Sequence, residues 1–203
     1  MSLAFEKFIK QYNATGSEKA DGYSPDVFVG LDEVEKEKVF DLLVTELPWG
    51  IEWLFFLDSQ KALEIAKERE SKLRGNPYAG AYVFQQQIVK YSGDLLYQRH
   101  MIDDYPGYPE NIRPLVVDAM HRTPDNENTI AFYKNVILAE ANSSAVARAS
   151  RHLLDALKVP RATDAEKEIY RGLVAELRKD DAQAKLRAFA RLEKYMRNLT
   201  THG

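Results

Sequence analysis

The chain has 203 residues, of which 45% are hydrophobic and 29% are charged, and its formal net charge at neutral pH is −3. A chain of this length can bury a continuous core. It contains no cysteine, which excludes disulfide bonds, thiolate metal ligands and a cysteine nucleophile. The first ten residues mix charged and apolar side chains, and no stretch approaches the roughly 18 apolar residues that cross a bilayer. We therefore expect a cytoplasmic protein with no membrane partner.

The N-terminal segment combines one short amphipathic helix with a loop-like stretch. Apolar residues at helical spacing predict a helix over 3–12. Residues 13–30 are rich in Gly, Ser, Asp and Pro, a composition typical of a flexible connector. We therefore predict two parts, an N-terminal helix with its connector over 1–30 and a single helical-repeat domain over 31–203.

The next segment contains the clearest helix start of the chain. Asp32 followed by Glu35 fits a capping box, and it predicts a helix over 33–47 that ends before Pro48. The almost wholly apolar residues 49–57 indicate burial, with Trp49 and Trp53 in the core. A polar helix is then predicted to run from Asp58 to about Leu73.

The remainder of the chain is predicted to be helical, because apolar residues recur every three or four positions and alternating patterns are nowhere sustained. Two prolines and a glycine forbid regular helix near residues 105–109, and Pro114 is acceptable only in a first turn. The fold class is therefore all-α. The predicted helices are 78–92, 94–102, 111–121, 128–140, 144–158, 164–178 and 182–198.

A recurring helix, turn, helix unit is visible at the end of the chain. Asp181 follows a helix break, and Arg187 lies six residues later. Asn142 and Arg148 repeat this offset, whereas two earlier turns keep the aspartate and lose the arginine. Those two turns pair Asp58 with Glu64 and Asp94 with His100. The turn residues are 36, 48 and 39 positions apart, a spacing typical of stacked helix pairs.

On these residues the chain resembles the HEAT-like branch of α-solenoid proteins, fairly over 125–203 and weakly before that. The resemblance implies a right-handed α-solenoid of antiparallel helix pairs, in which the turn aspartate and the later arginine form a ladder between neighbouring units. Asp181 with Arg187 matches that ladder. An irregular helical bundle is the alternative architecture.

Charge is distributed unevenly and favours a protein partner. Residues 1–140 carry 15 Lys and Arg against 23 Asp and Glu, a net charge of −8, whereas residues 141–203 carry a net charge of +5. An acidic surface favours a basic partner over nucleic acid. An aromatic and acidic loop supplies the predicted contact residues, which are Asp103, Asp104, Tyr105, Tyr108 and Glu110. The alternative is a rigid connector whose tyrosines pack back on the helices.

Two further functions stay open as alternatives. A metal-dependent enzyme could use His100, Asp104, Asp118 and His121, since side chains three apart share a helix face. A nucleic-acid binder could use the C-terminal arginines, which are Arg148, Arg151, Arg187 and Arg191.

Motifs of other enzyme classes are missing. The sequence has no Gly-x-Ser-x-Gly motif and no phosphate-binding glycine loop. We therefore predict a non-enzymatic, protein-binding helical repeat that carries no cofactor and no metal. By analogy, small acidic helical proteins of this kind include bacterial immunity and antitoxin proteins, which inhibit a basic partner.

Overall fold

The computed structural model describes residues 1–201, and within that range the chain forms helices and no β-strand. The all-α fold class is therefore confirmed. The chain divides into two compact units, Met1–Leu73 and the residues from Arg74 onward, called unit 1 and unit 2 below. The boundary that the composition predicts at residue 30 lies within unit 1. None of the helices in the described range is both long and apolar enough to cross a membrane.

Unit 1 contains five α-helices and one 3-10 turn within its described residues. They are α1 Leu3–Tyr12, α2 Gly16–Ala20, the 3-10 turn Pro25–Phe28, α3 Glu33–Thr45, α4 Ile51–Leu57 and α5 Ser59–Leu73.

The segment predicted as a flexible connector contains α2 and the 3-10 turn, and it is held against α1. Gln11 donates a side-chain hydrogen bond to the Ser24 hydroxyl over 2.9 Å and accepts one from the Ser24 backbone N–H. Phe8 of α1 is fully buried, with its ring centroid 5.2 Å from that of Tyr23 and 5.9 Å from that of Phe28. Composition did not reveal this packing, because three aromatic rings distant in sequence carry it.

The capping box before α3 is confirmed, and it shows how local sequence sets a helix start. The Asp32 carboxylate accepts the Glu35 backbone N–H at 2.8 Å, and the Glu35 side chain accepts the Asp32 N–H in return. Two N–H groups that a helix end leaves unpaired are thereby satisfied.

Unit 2 contains seven α-helices and one 3-10 turn within its described residues. They are α6 Ala81–Ser92, α7 Leu96–Asp104, the 3-10 turn Tyr105–Gly107, α8 Arg113–His121, α9 Glu127–Ala139, α10 Ser143–Ala156, α11 Asp164–Leu177 and α12 Ala182–Thr201.

Helix α10 lies at the centre of unit 2, because it packs on α8, α9 and α11. Its apolar residues Leu153 and Leu154 are fully buried, as is Tyr133 of α9. Asn142 caps α10 by accepting the Ala145 N–H at 2.9 Å. The predicted helix positions in this half of the chain are confirmed to within a few residues at most ends.

Candidate functional site

The predicted acidic loop is more helical than its prolines suggest. Asp103 and Asp104 form the last turn of α7 rather than the start of a loop. Asp104 accepts hydrogen bonds from Arg74 Nε at 3.1 Å and from Gln85 Nε2 at 2.8 Å. Asp103 lies 3.7 Å from the same guanidinium group. Both charges are therefore partly compensated within unit 2.

The two predicted contact tyrosines lie in the core rather than on the surface. Tyr105 and Tyr108 are 8% and 3% exposed. Their rings meet those of Phe132 and Tyr82 edge to face, at centroid distances of 5.1 and 5.7 Å. The alternative interpretation, a rigid connector with inward tyrosines, describes this arrangement. Of the five predicted contact residues, Asp103 and Glu110 present exposed side chains.

An ion pair between Arg113 and Glu140 holds the segment 103–110 in place. The Glu140 carboxylate, which is 4% exposed, accepts bonds from Arg113 at 3.0 and 3.2 Å and from the Tyr105 hydroxyl at 3.0 Å. Arg113 also donates to the Tyr108 carbonyl oxygen over 2.9 Å. Burial raises the pKa of Glu140, but bonds from the Asn142 backbone N–H, Tyr105 and Arg113 outweigh it and hold that pKa below its ordinary value.

The four residues of the alternative metal-enzyme hypothesis, His100, Asp104, Asp118 and His121, do not converge. His100 packs its ring edge against Tyr97, and Asp104 is held by Arg74. Asp118 and His121 do share one face of α8, as their spacing predicted, but they meet side chains of α10. Asp118 accepts a hydrogen bond from His152 Nε2 at 2.9 Å and pairs with Arg148.

His121 also lies against His152 of α10. The His121 and His152 rings stack at a centroid distance of 3.9 Å and an angle of 12°. Across the described part of the chain, one set of three His, Asp or Glu residues brings its ligand atoms within 4.8 Å of one another. That set is His121, His152 and Asp155.

His152 is the most perturbed residue of this cluster. Its side chain is 15% exposed, and burial together with the nearby His121 lowers its pKa to about 4. The ring is therefore neutral at pH 7. His152 Nδ1 is buried and has no hydrogen-bond partner, and neither has the Tyr133 hydroxyl, whose ring centroid lies 6.0 Å away.

The sequence pattern missed His152 and Asp155, although a usable signal was present. The two residues stand three apart on α10, as Asp118 and His121 do on α8, so each helix carries one His/Asp pair on a single face. Only the packing of α8 on α10 shows that the two pairs face each other.

Three of the four C-terminal arginines considered for nucleic acid are paired with carboxylates. Arg148 pairs with Asp118, Arg187 lies 3.5 Å from Asp181, and Arg191 donates to Glu176 over 2.7 Å. Their charges are therefore partly compensated within the protein, which weakens the case for a phosphate-binding surface.

Unit 1 exposes aromatic side chains that the sequence pattern assigned to the core. Trp49 is 72% exposed and Phe56 is 54% exposed, while Trp53 between them is half-buried. The Trp53 ring stacks on buried Phe28 at 4.7 Å and meets Phe56 at 6.2 Å. Val29, beside Phe28, is 66% exposed.

We call Trp53 and Phe56, whose rings are in contact, together with Trp49, which lies two residues before α4, the aromatic patch. The apolar run predicted burial on all sides of its helix, but α4 buries only Ile51, Leu54 and Phe55. The remaining large side chains stay near solvent because no element of unit 1 covers them.

Known proteins supply no family for this chain. No protein-family model, curated protein or solved structure matches it. Function is therefore inferred from the geometry of the described residues.

Proposed function

We propose that this protein is a non-enzymatic recognition module that binds a basic partner protein through the aromatic patch of unit 1. The observation that carries the proposal is an exposed aromatic surface on a strongly acidic unit. Residues 1–73 contain 9 Lys and Arg against 15 Asp and Glu, a net charge of −6. Monomeric proteins seldom leave large apolar groups together in solvent, and such groups mark interaction sites.

The aromatic patch has the residue types that dominate binding energy. Tryptophan is enriched among the few side chains that anchor protein interfaces. Burying an aromatic side chain removes about 150–250 Å² from water, at about 25 cal/mol per Å². With Trp49 at 72% exposure, its burial in a partner pocket contributes roughly 3–4 kcal/mol before the costs of association. One such anchor is sufficient to set the dissociation rate.

Charge supplies the preference for a basic partner. Glu52 lies between the two tryptophans in the sequence, and Asp58 follows Phe56 by two residues. Complementary charge accelerates encounter and disfavours acidic competitors. An inhibitor of the immunity or antitoxin type, which covers the active cleft of a basic enzyme or toxin, is the form of partner binding that this surface fits best.

We further propose that the helix pairs of unit 2 stack in the HEAT-like manner. Three neighbouring packings support this proposal, those of α9 on α10, α10 on α11 and α11 on α12. The turn residue Asn142 donates to the Glu110 carbonyl oxygen, and Arg148 reaches Asp118 on α8, so both bond to preceding segments. A ladder between repeats requires such bonds.

The test is affinity capture from the source lysate with matched variants. Immobilised wild type is compared with a double variant of the aromatic patch, Trp49→Ala with Phe56→Ala, and with Tyr78→Ala as a control. Tyr78 is 80% exposed and belongs to unit 2, so its truncation controls for the loss of an exposed aromatic side chain. A second arm replaces Asp103 and Glu110 with lysine, which tests whether segment 103–110 is the interface.

The expected result is a basic protein retained by wild type and by Tyr78→Ala and lost from the double variant. Circular dichroism of each variant verifies that helix content is unchanged. If the double variant retains the partner and the Asp103 and Glu110 variant loses it, the interface lies at segment 103–110. A partner that is acidic, or one retained by every variant, would contradict the proposal.

A further inference from the structure

We propose that His121, His152 and Asp155 form a binding site for a divalent transition-metal ion, with Zn²⁺ the best match. This site is independent of the aromatic patch and goes beyond the proposed recognition of a protein partner. It lies within unit 2, where α8 supplies one ligand and α10 supplies two.

The spacing of the ligand atoms suits one shared cation. A nitrogen of each histidine and an oxygen of Asp155 lie within 4.8 Å of one another. Bonds from Zn²⁺ to imidazole nitrogen and carboxylate oxygen are about 2.0–2.2 Å long, so two ligand atoms of a tetrahedral ion lie about 3.3–3.6 Å apart. Binding therefore requires the exposed His121 ring to turn out of its stack with His152, because the lone pairs of two parallel rings do not converge on one ion.

The hydrogen bond between His152 and Asp118 orients the ring for metal binding. An ionised carboxylate can only accept, so His152 Nε2 carries the proton in the 2.9 Å bond, and Nδ1 of the neutral ring carries a lone pair. Metal-binding histidines typically hold their other ring N–H against a carboxylate in this way, which fixes the tautomer and the ring orientation. Asp118 therefore acts as a positioning residue and not as a ligand.

Two buried polar atoms at this place have no protein partner. They are His152 Nδ1 and the hydroxyl of Tyr133, a fully buried residue whose ring contacts that of His152. A buried polar group without a partner costs about 1–3 kcal/mol, and nearly all such groups in native proteins are satisfied. A metal ion bound to Nδ1 removes the first deficit.

Asp155 retains an oxygen for the ion. The Tyr170 hydroxyl donates to Asp155 Oδ1 over 3.0 Å, and Arg161 reaches the same oxygen at 3.2 Å. Neither of these groups engages Oδ2, which is left for the ion. Of the two α10 arginines whose charges act on His152, Arg151 and Arg148, the second is compensated by Asp118.

The ligand set indicates which metal is bound. Two imidazoles and one carboxylate suit Zn²⁺ and related transition metals, whereas Mg²⁺ and Ca²⁺ prefer oxygen ligands alone. Three protein ligands leave one tetrahedral position for water or another small ligand, as in zinc sites that are open to reaction.

The experiment is isothermal titration calorimetry, in which Zn²⁺ is added to the full chain after chelation has removed any metal. In a second measurement Co²⁺ is added as a spectroscopic probe. Wild type is compared with His121→Ala, His152→Ala and Asp118→Asn, with His100→Ala as the matched control. His100 is a histidine of α7 outside the cluster. Because the His152 side chain is only 15% exposed, His121→Ala at an exposed position keeps the test valid if His152→Ala fails to fold.

The expected result is one Zn²⁺ per chain and a tetrahedral Co²⁺ absorption band, both retained by His100→Ala. Removing either cluster histidine raises the dissociation constant at least tenfold, and Asp118→Asn raises it about 10–100-fold because it weakens the orienting bond. No Zn²⁺ binding by wild type, or binding unchanged in His121→Ala, overturns the proposal. Equal loss in His100→Ala places the site elsewhere and also overturns it.

Discussion

Replacing Glu140 with glutamine tests how much the ion pair that holds segment 103–110 contributes to the free energy of unfolding. Glu140 is nearly inaccessible and accepts bonds from Arg113, Tyr105 and the Asn142 backbone N–H. Glutamine keeps the size of the side chain. Its amide NH₂ group donates hydrogen bonds, however, and would face groups that are donors themselves. Breaking a buried ion pair costs about 3–5 kcal/mol. Arg113 is 29% exposed and regains some hydration, so we expect a loss of about 2–3 kcal/mol.

The assay is urea unfolding followed by circular dichroism. Asp103→Asn is the control, because that side chain is 67% exposed and lies 3.7 Å from Arg74, and we expect a loss of at most about 0.5 kcal/mol from it. Measurement of tyrosine absorbance reports whether Tyr105 stays buried in each variant.

The same variant has a defined pH dependence. The pKa of Glu140 is lower in the folded than in the unfolded protein, so its contribution to stability is complete above the ordinary value of 4.5. That contribution is lost as the pH falls through the folded pKa. The stability gap between wild type and Glu140→Gln should therefore be full at pH 7 and shrink below about pH 4.5. A gap under about 0.5 kcal/mol at pH 7, or one that widens in acid, would refute this reasoning.

Three further substitutions test the packing. Phe8→Ala removes a fully buried ring that packs on Tyr23, and we expect urea unfolding to show a loss of about 3–5 kcal/mol, confined to unit 1. Asn142→Ala removes the cap of α10 and should cost about 1–2 kcal/mol by the same measurement. Arg187→Ala should change stability by less than about 0.5 kcal/mol, because the side chain is 70% exposed, and a larger effect would mean that it also bonds across the helix stack.

Helix positions were predictable because they depend on local chemistry. The capping box of Asp32 and Glu35, the turn at Asn142 and the apolar spacing before Leu177 each act within one or two helical turns. Pro114 lies in the first turn of its helix for the same local reason.

The candidate sites were only partly predictable, because tertiary packing decides which side chains are exposed or meet. Trp49 belongs to an apolar run, yet no element of unit 1 covers it. Tyr105 belongs to a polar stretch, yet its ring packs on Phe132 and its hydroxyl bonds to Glu140. Neither outcome is encoded in the neighbouring residues.

The histidine cluster illustrates the same limit. The spacing on α8 correctly placed Asp118 and His121 on one face, but it could not identify the facing helix. The sequence predicts that His100 and Asp104 approach from the preceding helix, whereas the α10 residues His152 and Asp155 face His121 instead.

Tryptophan fluorescence reports on the proposed interface without a label. Trp49 and Trp53 are the only tryptophans of the chain, and both belong to the aromatic patch. The free protein should show a red-shifted emission that a soluble quencher reduces. Relative to free tryptophan, the protein should be quenched more by caesium, a cation, and less by iodide, because unit 1 is acidic.

The most direct test of partner recognition compares the dissociation rate of the captured partner from wild type and from Trp49→Ala. Tryptophan emission of each protein is followed during binding. Protein recognition through the aromatic patch predicts at least a tenfold faster dissociation for the variant, equivalent to about 1.4 kcal/mol. It also predicts a blue shift and protection from quenching when wild type binds. An unchanged dissociation rate, with emission that does not respond to the partner, would contradict it.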